Sequence, residues 1–171
     1  MVGILNPNSS RTTRDYAVVA PRNAGRGSAL NSAGVEKSAL WIDGYIVVNG
    51  EQLFALAQAP VLLDVSFDQL DRPVIAYRTA SAAFIWFYNA ILVGYENLNI
   101  GDVADVAICN DFSIGGSNIV CVYVAGGNIH YRLQSDRFIT DYTLGDAQIP
   151  SIEAFGVGAF TNSLNVVFYA Q

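Results

Sequence analysis

Val74-Ile75-Ala76-Tyr77, Val120-Cys121-Val122-Tyr123 and Val166-Val167-Phe168-Tyr169 are the runs that decide the fold. Each is an apolar stretch ending in tyrosine, and successive tyrosines lie 46 residues apart. A second set, Trp41, Trp86 and Tyr131, recurs every 45 residues. Between these anchors, Ile46, Val48, Glu51 and Leu53 match Ile91, Val93, Glu96 and Leu98 at an offset of 45. Leu98 continues to Leu144, and Gly101-Asp102 returns as Gly145-Asp146. Matches in one order at nearly one period define a tandem repeat. The copies cover about 35–79, 80–125 and 126–171.

Inside each copy the pattern is one of short strands and turns. Phe84-Ile85-Trp86-Phe87-Tyr88 is apolar at every position, so both faces of that strand are expected to be buried between flanking sheets. Residues 119–123 read the same way. Gly126-Gly127-Asn128 and Gly115-Gly116-Ser117 are hairpin signals. No window sustains helical spacing. Four short strands per repeat of this length predict β-propeller blades, with a β-sandwich or prism as the alternative. Three blades do not close a ring, so a homo-oligomer or docking into a larger assembly is expected, with apolar blade faces carrying Trp41, Val166 and Phe168 at its seams.

Composition agrees with assembly. Hydrophobic types make up 52% of the 171 residues and charged types 14%, against roughly 25% charged in an average protein. The net charge of −6 is unevenly spread. Residues 1–34 carry Arg11, Arg14, Arg22 and Arg26 against Asp15, whereas residues 35–171 carry five basic and fourteen acidic side chains. An acidic body argues against nucleic acid as a partner. No run reaches the ~18 apolar residues of a membrane span, so no membrane partner is expected. Residues 1–8 lack a basic stretch followed by an apolar one, so synthesis in a cytosol is expected.

Residues 1–34 lie outside the repeat and hold too little apolar area to fold alone. They read either as a disordered leader or as an extended arm that adds residues 16–20 to a neighbour's sheet edge. The arm is the preferred reading. Its four arginines, with Arg132 and Arg137, are the candidate inter-subunit contacts.

The stretch Asn118-Ile119-Val120-Cys121-Val122-Tyr123, followed by Gly127-Asn128-Ile129-His130-Tyr131-Arg132-Leu133-Gln134-Ser135-Asp136-Arg137-Phe138, resembles a pattern in propeller-like tail or virion-surface proteins of tailed bacteriophages. Asp71-Arg72-Pro73-Val74-Ile75-Ala76-Tyr77 looks like the matching strand one repeat earlier. The resemblance implies a structural virion component near the tail, made in the host cytoplasm, with other virion proteins as partners and no enzymatic role. The alternative is a carbohydrate-binding propeller, a lectin or adhesin that takes a host-surface glycan. For that reading Trp41, Trp86 and Tyr131 are the candidate stacking aromatics. Filling the space between blades is the preferred role for these three.

Catalytic and metal chemistry finds little material. His130 is the only histidine, and its strand position makes it a packed side chain rather than a general base. One histidine and two cysteines do not make a zinc site. Asp64, Asp68 and Asp71 lack calcium-loop spacing and read as a solvated turn. Gly156-Val157-Gly158 is too short for a phosphate-binding loop. No cofactor is expected. A turn centred near Gly115 predicts that Cys109 and Cys121 face each other across two strands and remain reduced, because cross-strand disulfides are strained and a cytosol is reducing.

Overall fold

A computed structural model describes residues 2–4, 26–31, 33–111, 118–143, 152–160 and 163–170. The chain is all-β. The only helical element among the described residues is one 3-10 turn, Gln134–Asp136. Sheet I is β2 (Arg26–Leu30), β3 (Glu36–Ile42), β4 (Tyr45–Val48) and β5 (Glu51–Ala55). Sheet II is β6 (Leu62–Phe67), β7 (Pro73–Arg78), β8 (Ala83–Asn89) and β9 (Gly94–Gly101). Sheet III is β10 (Asp105–Asp111), β11 (Asn118–Ala125), β12 (Asn128–Leu133) and β13 (Tyr142–Thr143). Each is an antiparallel meander whose strands pair in chain order. A three-stranded sheet IV is ordered β1 (Val2–Ile4), β15 (Ser163–Ala170), β14 (Ile152–Phe160).

The first strands lie against one another in sequence: β2 touches β6, β6 touches β10, and β10 touches β14. Sheet II is therefore sandwiched. On β7, Ile75 and Tyr77 enter the core shared with sheet I, while Val74 and Ala76 enter the core shared with sheet III. On β8, Trp86 faces sheet I, and Ile85 and Phe87 face sheet III. The period of two in a strand makes this sorting obligatory, and it explains why Phe84-Ile85-Trp86-Phe87-Tyr88 has no polar position. At ~25 cal/mol per Å² of apolar surface removed from water, burial in these two cores holds sheets I, II and III together.

Tyr77, Tyr123 and Tyr169 each sit near the end of the second strand of a hairpin, β6–β7, β10–β11 and β14–β15, opposite Leu63, Val106 and Glu153 of its first strand. The 46-residue spacing is thus a structural equivalence of backbone positions. The 45-residue spacing is not. Trp41 lies on a second strand, β3, whereas Trp86 and Tyr131 lie on third strands, β8 and β12. Likewise Ile46 and Val48 belong to β4, but Ile91 and Val93 belong to a turn. The turn between β8 and β9 is longer than the one between β4 and β5, so the alignment slides.

The sheets also begin earlier than the sequence copies. Boundaries near 79 and 125 fall between the second and third strands of sheets II and III. Residues 26–30, assigned to the arm, form the first strand of sheet I. That strand escaped notice because it is not apolar. It approaches β6 so closely that a Cβ on Gly27 would meet the Asp64 Cα at 2.8 Å and the Leu63 carbonyl oxygen at 2.9 Å. Glycine is what such a contact requires. β1 pairs with β15 of the same chain, Val2 opposite Tyr169. Residues 16–20 lie outside the described residues.

Candidate functional site

In sheets I and II, the turn between the first two strands and the turn between the last two fall at the same end of the sheet, as a meander requires. The connections after Asp68, after Asn89 and after Asn31 all lie at this end. Three contacts bind it laterally. The Asn31 side-chain amide donates to an Asp71 carboxylate oxygen at 2.9 Å, joining sheets I and II. The Arg72 guanidinium lies 4.2 Å from the Tyr88 ring centre, joining the two turns of sheet II. Phe87 meets Phe138 edge-on, with centroids 5.0 Å apart, which brings the β12–β13 connection of sheet III to the same end.

Asp68 organises its turn. One carboxylate oxygen accepts the backbone N–H groups of Leu70 and Arg72 at 2.9 and 3.0 Å. The other accepts from the Arg72 guanidinium at 2.7 Å. Asp68 is only 5% exposed and fully engaged, in place of the solvated carboxylate expected from sequence, while Leu70 at the tip of the same turn is 72% exposed. Asp64 acts elsewhere: it accepts the Ile108 backbone N–H at 3.0 Å and so ties sheet II to the first strand of sheet III. The three aspartates therefore do not converge. Among the described residues no group of three or more His, Cys, Asp or Glu side chains is placed to hold a metal ion.

A polar cluster sits on sheet III. Arg132 donates through Nε to the Tyr123 hydroxyl at 3.0 Å and through a terminal nitrogen to the Phe138 carbonyl at 2.9 Å. His130 stacks on Tyr123, and its Nδ1 lies 3.1 Å from an Asp141 carboxylate oxygen. Burial pushes the Tyr123 hydroxyl up to about 12, against the partial relief supplied by Arg132. Tyr77 is raised for the same reason, with relief from the hydrogen bond donated by Asn97. These groups position a strand and a connection.

The aromatic candidates divide. Trp86 is 7% exposed, packed between sheets I and II against Phe54 and stacked on Tyr95 at 3.9 Å. Trp41 packs on the same core and donates its indole N–H to the Leu56 carbonyl at 2.8 Å. It therefore fills the seam between sheets I and II and does not lie on an open face. Tyr131 is half-buried and stacks on Tyr142. Of the arginines, Arg132 is engaged within its own sheet, and Arg137 is exposed in a left-handed conformation with φ 63°. Arg11, Arg14 and Arg22 lie outside the described residues, as do the side chains of Arg26, Val166 and Phe168.

The cysteine register is one residue away from the expectation. Cys121 pairs with Ile108, and Cys109 pairs with Val120. A one-residue shift exchanges the faces of a strand. The observed register aligns Val106 with Tyr123 and Ile108 with Cys121, and all four belong to the core shared with sheet II. Core packing overrides a register counted from a turn glycine. Cys121 is a buried thiol.

Sequence reasoning missed one feature. Ile91, Leu92 and Val93 form the tip of the β8–β9 turn and are 70, 66 and 76% exposed. In the sequence Ile91 and Val93 stand only as matches to Ile46 and Val48 at an offset of 45; the signal of an apolar tip is the run of three aliphatic residues shortly after Asn89.

The comparisons with known proteins supply no relative: no family model, no curated protein and no solved structure matches this chain. Among the described residues no helix is long and apolar enough to cross a membrane.

Proposed function

We propose that the chain is a structural, self-assembling component of a bacteriophage virion, associated with the tail, that works through protein–protein contacts and has its sheets arranged as propeller blades. The observation that carries this reading is the repeated stacking itself. Sheet II is covered on both faces, its neighbours meet it through their first strands, and the same second-strand tyrosine marks sheets II, III and IV. A stack of this kind propagates until a neighbour or a polar face ends it. On sheet I the face away from sheet II carries Ile42 and Tyr45, paired across β3 and β4 and 44 and 40% exposed. That is apolar surface suited to another copy or another virion protein. The stretches 71–77 and 118–138 supply the link to phage tail proteins. The glycan-binding alternative is weaker, because Trp41 and Trp86 are spent on packing.

Two measurements test this reading. Sedimentation of the purified chain should give an oligomer at micromolar concentration, and Ile42→Glu with Tyr45→Glu should shift it to a smaller species that still melts cooperatively. A wild-type monomer would defeat the assembly reading. Peptide mass spectrometry of purified phage particles should then recover this chain, and its absence from them would defeat the virion reading.

A further inference from the structure

We propose that the end of the stack carrying the Asn31, Asp68 and Asn89 turns is a shallow docking edge for an uncharged lipid bilayer surface, entered by turn tips alone. The expectation of no membrane partner rested on the lack of a span, and an interfacial contact needs none.

The placement of exposed apolar residues points there. Val35, Leu70, Ile91, Leu92, Val93 and Ile139 are 56–76% exposed, and they are the only large hydrophobic residues more than half exposed among the described ones. All six occupy turns or connections at this end. At the opposite end the hairpin turns Asp43-Gly44, Thr79-Ala80-Ser81-Ala82 and Gly126-Gly127 are small or polar, and the large apolar residues exposed there, Ile42, Tyr45 and Val61, reach only 40–44%. Scattered single exposures are ordinary, but a one-sided concentration marks an interaction site.

The tips cap part of their own backbone. The N–H groups of Ala33 and Val35 are taken by the Asn31 side-chain oxygen, those of Leu70 and Arg72 by Asp68, and those of Ile91 and Leu92 by Asn89. Six tip donors are thus satisfied within the chain, which lowers the cost of bringing them against lipid. Tyr88 and Tyr95 lie at the base of the β8–β9 tip, packed edge-on, and Tyr95 is 45% exposed. Tyrosine with an apolar body and a polar end suits the headgroup level. The bonds from Asn31 to Asp71, from Arg72 to Tyr88 and from Phe87 to Phe138 hold the tips as one set.

Charge selects among occupants. Glu36, Glu51, Asp71 and Glu96 stand near these turns and outnumber the basic groups Lys37 and Arg137, since Arg72 is occupied by Asp68. A second copy docked end to end would oppose like charges, and anionic lipid would be repelled. A rigid protein partner would need a separate socket for each tip, whereas a fluid uncharged bilayer accommodates separated tips.

Flotation of the purified full chain with phosphatidylcholine vesicles tests the proposal. The chain should float with the vesicles equally at low and high salt. Leu92→Glu and Ile91→Glu should each weaken partition about tenfold or more, with the cooperative melt retained because both positions are mainly solvent-facing. Ala80→Glu, at the opposite end, should leave binding unchanged. Three outcomes would overturn the idea: no flotation with phosphatidylcholine, flotation that requires anionic lipid, or, without lipid, a Leu92→Glu variant that splits an oligomer and so assigns the edge to a second copy. The result stands or falls independently of whether the chain is found in a virion.

Discussion

The two seams flanking sheet II are made from opposite faces of the same four strands, yet they are filled differently. The seam with sheet I is narrow at the first strands, where Gly27 lies on the Leu63–Asp64 backbone, and broad farther out. There Phe54, Tyr77, Phe84, Trp86 and Tyr95 form a connected aromatic array. The seam with sheet III is mostly aliphatic, with Val74, Ile85, Val106, Ile108 and Ile119 around one aromatic contact, Phe87 on Phe138. Each seam has a side-chain stitch, Asn31 to Asp71 in the first and Asp64 to the Ile108 N–H in the second. The seam with sheet I is a wedge, closed at Gly27 and filled by large rings farther out. The aromatic seam gains specificity from ring geometry, and the aliphatic seam depends on volume.

The largest break in this comparison comes from Phe87→Ala. Phe87 is 1% exposed, lies in the core shared with sheet III and packs edge-on against Phe138, so truncation leaves a cavity that few neighbours can fill. A loss of about 3–5 kcal/mol is expected, read as a lowered denaturant midpoint with unchanged slope. A loss below about 1 kcal/mol would mean that this seam does not bear the load assigned to it. Gly27→Ala strikes the narrow side of the other seam, where the new methyl group meets backbone that cannot rotate away. About 1–3 kcal/mol is expected, and a neutral result would show that β2 is not seated on β6.

The gentlest test uses pH. Tyr123 is an acid whose pKa in the folded state is raised to about 12 from an ordinary value of 10, chiefly by burial. The folded chain therefore holds this proton where the unfolded chain releases it. Its contribution is complete below pH ~10 and is lost as pH rises from ~10 towards 12. Tyr123→Phe should flatten the fall of melting temperature in that interval, at the cost of the hydrogen bond from Arg132. An unchanged alkaline slope would assign the loss to other groups, Tyr77 first, because its pKa is also raised by burial.

Much of the sheet II core is legible in the amino-acid sequence. Val74-Ile75-Ala76-Tyr77 and Phe84-Ile85-Trp86-Phe87-Tyr88 announce strands with two dry faces, because a strand between two sheets has no position left for a polar side chain. The strand Arg26–Leu30 is not legible, since a first strand in close contact needs small residues and small residues carry no pattern. The apolar tip at Ile91-Leu92-Val93 is hidden for the opposite reason. Aliphatic residues normally signal burial, and only the turn that follows Asn89 puts them outside.

The sequence by itself determined that the chain is all-β, that its strands recur at a period set by Tyr77, Tyr123 and Tyr169, and that a middle sheet is covered on both sides. These are consequences of local pattern, where alternation and β-branching act within a few residues. Tertiary structure alone decided where each sheet begins, the register in which β10 pairs with β11, what Asp64, Asp68 and Asp71 bind, and which end of the stack presents apolar tips. Those depend on contacts between residues as far apart as Asn31 and Asp71 or Asp64 and Ile108. Their pairing is settled by the packing of whole sheets, and no window of sequence contains it.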